Sequence, residues 1–324
     1  MMFQGYGRCS AALLSALLAM GTSAAEPPRP PDGDDFRVTL LGTGSPQPAI
    51  DRFGPGVLVQ AGGQTLLFDC GRGVTQRLAQ LGVKLGAVNK LFITHLHSDH
   101  VVGIPDLWLT GWLEIPSAQR KGALQVFGPP GTRNLMEGLE RAYEWDVVTR
   151  IADQKLSKEN VAVSVTEFAE GPVYESAGLT VTAFEVDHGE LVKPAFGFRV
   201  DYGGRSVVLS GDTRPSENLV RHAAGTDLLI HQVAAARPEL LASPVFQAIL
   251  AHHTRPEEAG LIFARTRPRL AAFYHFSLLG TAQVPAVTVA EVVALARTAY
   301  GGPLVAGEDL MVFRVGREGV TVAK

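Results

Sequence analysis

The chain has 324 residues, 46% of them hydrophobic, and a formal net charge of −3. That length supports one large core, as one domain or two halves of one. A mildly acidic balance lacks the basic field of a nucleic-acid binder, so an RNA or DNA partner is not expected.

The chain opens on a segment outside the fold. Arg8 precedes the apolar stretch Ala11–Met20, and Ser23, Ala24 and Ala25 come before Glu26. This is the pattern of a secretory signal over residues 1–25, cleaved near Ala25. Ten apolar residues are too few to span a bilayer, so the expectation is a periplasmic or secreted protein. Cleavage would remove Arg8 and no acid, taking the charge from −3 to −4. It would leave Cys70 without another cysteine, so no intrachain disulfide is expected; its apolar strand end suits a buried packing thiol. Residues 26–35 form a Pro-rich leader expected to be mobile, and the domain runs over 36–324.

Strand patterns cover Phe36–Leu41, 56–61, 64–69 and 90–94, with helices at about 73–81 and 131–144. The stretch 160–210 is strand-rich, at 161–165, 179–184, 196–200 and 206–209. The remainder alternates helices (216–223, 256–265, 288–298) with short strands (227–230, 270–274). Strands then helices, twice over, suit an α/β protein with two sheets packed face to face and helices outside.

Chemistry concentrates where the strand at 90–94 ends. Residues 93–100 read Ile-Thr-His-Leu-His-Ser-Asp-His, placing His95, His97, Asp99 and His100 within six residues. Neutral imidazoles and carboxylates are what Zn²⁺ takes when sulfur is absent. A lone histidine at a strand end is usually a packing residue. Three beside a carboxylate would repel if charged and need many partners if neutral, so metal is the better account. His95 and His97, two apart, share a side of the strand, while Asp99 and His100 turn toward a second position. The spacing suggests two adjacent metals.

His-x-His-x-Asp-His after a strand resembles the signature of the metallo-β-lactamase superfamily. Phe68-Asp69-Cys70-Gly71 resembles its strand-end aspartate motif. Val186-Asp187-His188-Gly189 with Ala195–Arg199 resembles the third-histidine segment of ribonuclease Z-like members, and Leu209–Thr213 their bridging-aspartate motif. His253-Thr254 with Glu257 and Glu258, and Phe273-Tyr274-His275, resemble their last two histidine segments. The similarity spans about Phe36 to Leu310. It implies a four-layer αββα fold of two mixed sheets, with metals at the sheet edge.

The resemblance also implies roles. His95, His97 and His188 would hold one zinc, Asp99, His100 and His275 a second, and Asp212 would bridge them, giving two Zn²⁺ per chain. Asp69 would support a histidine from behind. Asp99 and His253 are the catalytic candidates, His253 acting on the departing oxygen; His252 competes with it for that role. His231 and His252 receive no role of their own. Two metals in such a site supply a bridging hydroxide and clamp the oxygens of an in-line displacement, which suits a phosphodiester or a sulfate ester.

Three features point away from tRNA. The link 201–205 replaces a long arm of the tRNA-processing enzymes, His231-Gln232 stands where they have His-Glu, and the chain carries an export signal. Pro105–Trp112 resembles a segment of the short exported zinc-dependent arylsulfatases, and Trp108 and Trp112 would line an aromatic substrate pocket. The expectation is an exported dizinc hydrolase of aryl sulfates, phosphodiesters or both, acting on a small anionic ester. A ribonuclease Z-like or cyclic-nucleotide phosphodiesterase, a lactonase and a non-catalytic zinc-binding protein are the alternatives, and a homodimer is compatible with the sequence.

Overall fold

The computed structural model describes residues 36–323; the expected signal and leader lie outside the described residues. The first half contains β1 (Phe36–Gly42), β2 (Gly56–Ala61), β3 (Gln64–Phe68), α1 (Val74–Gln80), β4 (Lys90–Phe92), α2 (Ser98–Val101), α3 (Ile104–Trp112), β5 (Leu124–Gly128), α4 (Thr132–Ala142), α5 (Glu144–Gln154), α6 (Lys158–Val161) and β6 (Val163–Glu167). The second contains β7 (Gly171–Ser176), β8 (Leu179–Val186), β9 (Ala195–Tyr202), β10 (Arg205–Leu209), α7 (Glu217–Ala223), β11 (Leu228–Ala236), α8 (Pro244–Ala251), α9 (Pro256–Thr266), β12 (Leu270–Leu279), α10 (Val289–Arg297) and β13 (Leu304–Ala306). A closing hairpin, β14 (Val312–Val315) and β15 (Val320–Ala323), returns to β1.

The strands form two mixed sheets, ordered β15-β14-β1-β2-β3-β4-β5-β6 and β13-β12-β11-β10-β9-β8-β7. Period-two alternation sends one face of each strand into a shared core: Phe36, Val38 and Leu40 of β1 and Val57 and Val59 of β2 meet Val181, Phe198, Val200 and Ile230 of the other sheet. The opposite faces carry helices. Leu58, Leu67 and Leu91 pack with Trp108 and Trp112 on the first sheet, and Leu229 and Phe273 pack with Leu219, Phe263 and Val292 on the second. The result is the αββα arrangement. The structure adds β5, β7, the last three strands and the helices α2, α5, α6 and α8 to the expected elements.

Candidate metal centre

Strand ends and one bulge deliver the polar residues to one edge of both sheets. Asp69 follows β3, Thr94 and His95 follow β4, and Asp99 and His100 sit in the short α2. His188 follows β8 and Asp212 follows β10. His275 lies inside β12, where Tyr274 pairs with Gln232 and Phe276 with Val233, leaving it as the extra residue of a bulge. Its φ of 44° is left-handed, and Asp69 adopts 57°. Such conformations cost about 1–3 kcal/mol outside glycine and persist where surrounding contacts enforce them. Gly211 also has positive φ, and a Cβ there would collide with the Phe196 carbonyl, so only glycine lets the chain turn Asp212 inward.

Buried hydrogen bonds set which ring nitrogen of each histidine carries its proton. His100 Nδ1 donates to Asp69 Oδ2 at 2.7 Å, leaving Nε2 as a lone pair. The Thr94 hydroxyl donates to Asp69 at 2.9 Å and accepts from His95 Nδ1 at 3.0 Å, so His95 also presents Nε2. His188 Nδ1 donates to the His252 carbonyl at 3.0 Å, freeing Nε2. These freed atoms converge. His97 Nδ1 lies 3.0 Å from His95 Nε2 and 3.2 Å from His188 Nε2. His100 Nε2 lies 3.2 Å from His275 Nε2, which is 3.2 Å from Asp99 Oδ2. Asp212 Oδ2 sits among them, 3.5 Å from His100, 3.4 Å from His275 and 3.9 Å from His188.

Two donor groups emerge, His95-His97-His188 and Asp99-His100-His275, with Asp212 reaching toward both. The facing lone pairs of His95 and His188, beside the buried carboxylates, need a cation between them, a proton or a metal ion. Asp212 Oδ1 is buried without a hydrogen-bond partner among the described residues, which fits a carboxylate whose second oxygen is also a ligand. The donor set therefore suits metal, and zinc by its chemistry. Without metal the centre is electrostatically divided. Burial, with His100 next, pushes His95 well below the usual imidazole range. Burial opposes charging of His100 too, but the Asp69 and Asp212 carboxylates outweigh it and hold His100 well above that range.

His253 is nearly buried beside the centre; its Nδ1 meets Gln232 Oε1 at 3.1 Å. Burial pushes its pKa down to about 3, so it is neutral at ordinary pH. His252 lines the same cavity, but its carbonyl holds His188 and its ring stacks on His188 with centroids 5.0 Å apart. His231 points elsewhere, fully buried, donating to the Gln232 carbonyl and packing against Phe263.

Trp108 and Trp112 do not line the site. Both are buried in the helix layer, where their indoles donate to the Val161 and Ser157 carbonyls at 2.7 and 2.9 Å. The aromatic-pocket expectation fails because α3 turns that face onto the sheet. The cavity that opens on His97, Asp99, Asp212, His253 and His275 has a volume of about 400 Å³. Its other walls are Phe246 and Ile249 of α8, Leu278 and Leu279 of β12, and Ser45–Gln47. Sequence reasoning missed these residues. The Ser243-Pro244 pair, an N-cap followed by proline at the first helical position, is the signal that marks α8.

The family described as Anti-Pycsar protein Apyc1 matches residues 36–243. A protein of Mycobacterium marinum named Ribonuclease Z is 37% identical over 281 residues, covering 85% of this chain and 97% of that protein. Among solved structures, the metallo-β-lactamase fold protein YhfI of Bacillus subtilis aligns with a TM-score of 0.64 at 20% identity, covering 86% of this chain and 98% of the other. The short form of human tRNase Z aligns with a TM-score of 0.62 at 24% identity, covering 85% and 98%; at these identities the two structures show a shared fold.

These similarities correct two expectations. Relatives named for a ribonuclease overturn the aryl-sulfate reading in favour of its ribonuclease Z alternative, and they overturn the expectation that nucleic acid is not a partner. The missing arm was weak ground. Here β9 and β10 are joined through Gly203-Gly204, but an alignment of 281 residues that occupies 85% of this chain and 97% of the relative leaves no room for a long arm there either. The charge argument failed because a net charge averages the whole surface and says little about one cleft.

Proposed function

The chain belongs to the metallo-β-lactamase-fold family that holds the ribonuclease Z relatives, a family of metal-dependent hydrolases, and from that premise we propose that it cleaves phosphodiester bonds of RNA at a dinuclear zinc centre. The observation that carries the proposal is the convergence of His95, His97 and His188, and of Asp99, His100 and His275, on either side of Asp212. Two bound zinc ions would supply charge neutralisation for the phosphoryl oxygens and an activated water. They would also offset the negative charge of Asp69, Asp99 and Asp212, so that an anion could enter this cleft of an acidic protein.

The chain's own residues divide the remaining work. Asp69 and Thr94 orient His100 and His95. Asp99 and His253 line the cavity where substrate would sit. With Nδ1–H committed to Gln232, His253 offers its Nε2 lone pair; neutral at rest, it would take its proton from the attacking water within the step and pass it to the departing oxygen. We also propose export, so that the RNA is met outside the cytoplasm.

A second reading, turnover of a small cyclic nucleotide, is favoured by the 400 Å³ cavity walled by α8. Purified zinc-loaded protein assayed side by side on a 3′-extended tRNA, a short RNA and cyclic nucleotides decides. The proposal expects RNA cleavage; turnover of cyclic nucleotide alone would replace it with the second reading, and turnover of none would remove both.

A further inference from the structure

The cavity is chemically lopsided. Its lining combines the ligands His97, Asp99, Asp212 and His275 with the apolar Phe246, Ile249, Leu278, Leu279 and Pro46. Phe246 and Ile249 are three residues apart on α8 and so share a face. Both are only half-buried, while Leu250 is the one fully buried side chain of that helix. A phosphate held by metals needs no apolar wall. One of the two groups esterified to the phosphorus does, because leaving these side chains wet forgoes their burial.

The geometry points to Phe246 and Ile249, with Leu278 and Leu279, as a stacking slot for the nucleobase of the nucleotide at the scissile bond. This rests on the phosphodiesterase reading and names what that site takes beside its phosphate. A base offers a flat π-face that stacks on an aromatic ring whatever its identity. Apart from the ligands and His253, the polar side chains lining the cavity are Ser45, Gln47, His252 and Ser277, too few to read a Watson–Crick edge in full, so the slot favours a base over no base and discriminates weakly among bases. Because α8 ends at Ala251 and its C-cap His252 directly precedes His253, the slot and the proton-handling group are fixed to one another.

The test uses the zinc-loaded full chain in two arms. In the first, KM and kcat are compared for a short RNA with a normal or an abasic nucleotide beside the scissile bond. In the second, calorimetry compares adenosine 5′-monophosphate with ribose 5-phosphate. The wild type should favour the base-bearing molecule roughly 5- to 100-fold, in KM and in Kd, the worth of one base stack. Phe246→Ala should cut that preference to about twofold with zinc content unchanged, and Phe246→Trp should keep it. Equal wild-type affinity for the two phosphates, or an undiminished preference in folded Phe246→Ala, would overturn the slot. If Phe246→Ala does not fold, the wild-type comparison and Phe246→Trp decide. If RNA is not cleaved but the nucleotide is still preferred through Phe246, the slot stands and the RNA reading falls.

Discussion

Gln232 Oε1 lies 3.1 Å from His253 Nδ1, while Gln232 Nε2 donates to the Thr213 carbonyl at 2.6 Å. The second bond fixes the amide, so the first fixes the tautomer: His253 keeps its proton on Nδ1 and presents a lone pair to the cavity. An amide does this without stabilising an imidazolium, and burial leaves the pKa at about 3.

Replacing His253 with alanine should therefore leave zinc content intact and lower the rate by about 10²–10⁴-fold for a poor leaving group. Across a series of aryl phosphodiesters the loss should shrink as the phenol becomes more acidic. A uniform loss would rule out proton transfer to the departing oxygen, and loss of zinc would make His253 a ligand.

His231 carries a stability prediction. Burial pushes its pKa from the usual 6.5 to about 4, and its Nε2 is buried without a partner among the described residues. A depressed folded-state pKa means that the unfolded chain binds more protons as the pH falls. The stability is then full above about pH 6.5 and is lost toward about pH 4. The loss between pH 7 and pH 5 should be on the order of 2 kcal/mol from this residue. Denaturant unfolding at the two pH values should show that increment disappear in His231→Phe; an unchanged increment would place the acid sensitivity elsewhere.

The two inner tryptophans should behave as core. Trp108→Ala should cost about 3–5 kcal/mol of stability and leave the KM of the folded enzyme unaltered. A changed KM with unchanged stability would restore Trp108 to the substrate pocket.

The first motif was legible because His95 to His100 are contiguous and their chemistry excludes a bland packing role. Apolar runs bounded by turns marked most strands, but the four-layer arrangement came from the resemblance, because strands such as β1, β11 and β12 are buried on both faces and show no apolar–polar alternation. The cavity was not legible. His275 and Asp69 were reached through the resemblance, not through spacing: His275 enters by a bulge, and Asp69 holds His100 directly and His95 through Thr94. The α8 wall was passed over although Ser243-Pro244 announces it. The tryptophans misled because two aromatics one turn apart face a core as readily as a pocket. The substrate was misjudged because net charge and one short link were given more weight than ligand chemistry.

Export is tested at the N-terminus. Mass spectrometry of protein from the periplasm or medium should find a chain beginning near Glu26. An intact Met1 in the cytoplasm would move the RNA substrate inside the cell.

The most direct measurement titrates zinc into chelator-stripped protein while RNA cleavage is followed in the same sample. Activity should rise as the second equivalent binds and should be absent at every zinc level in Asp212→Ala, which lacks the carboxylate between the two donor groups. Full activity at one equivalent, or no RNA cleavage at two, would contradict the account.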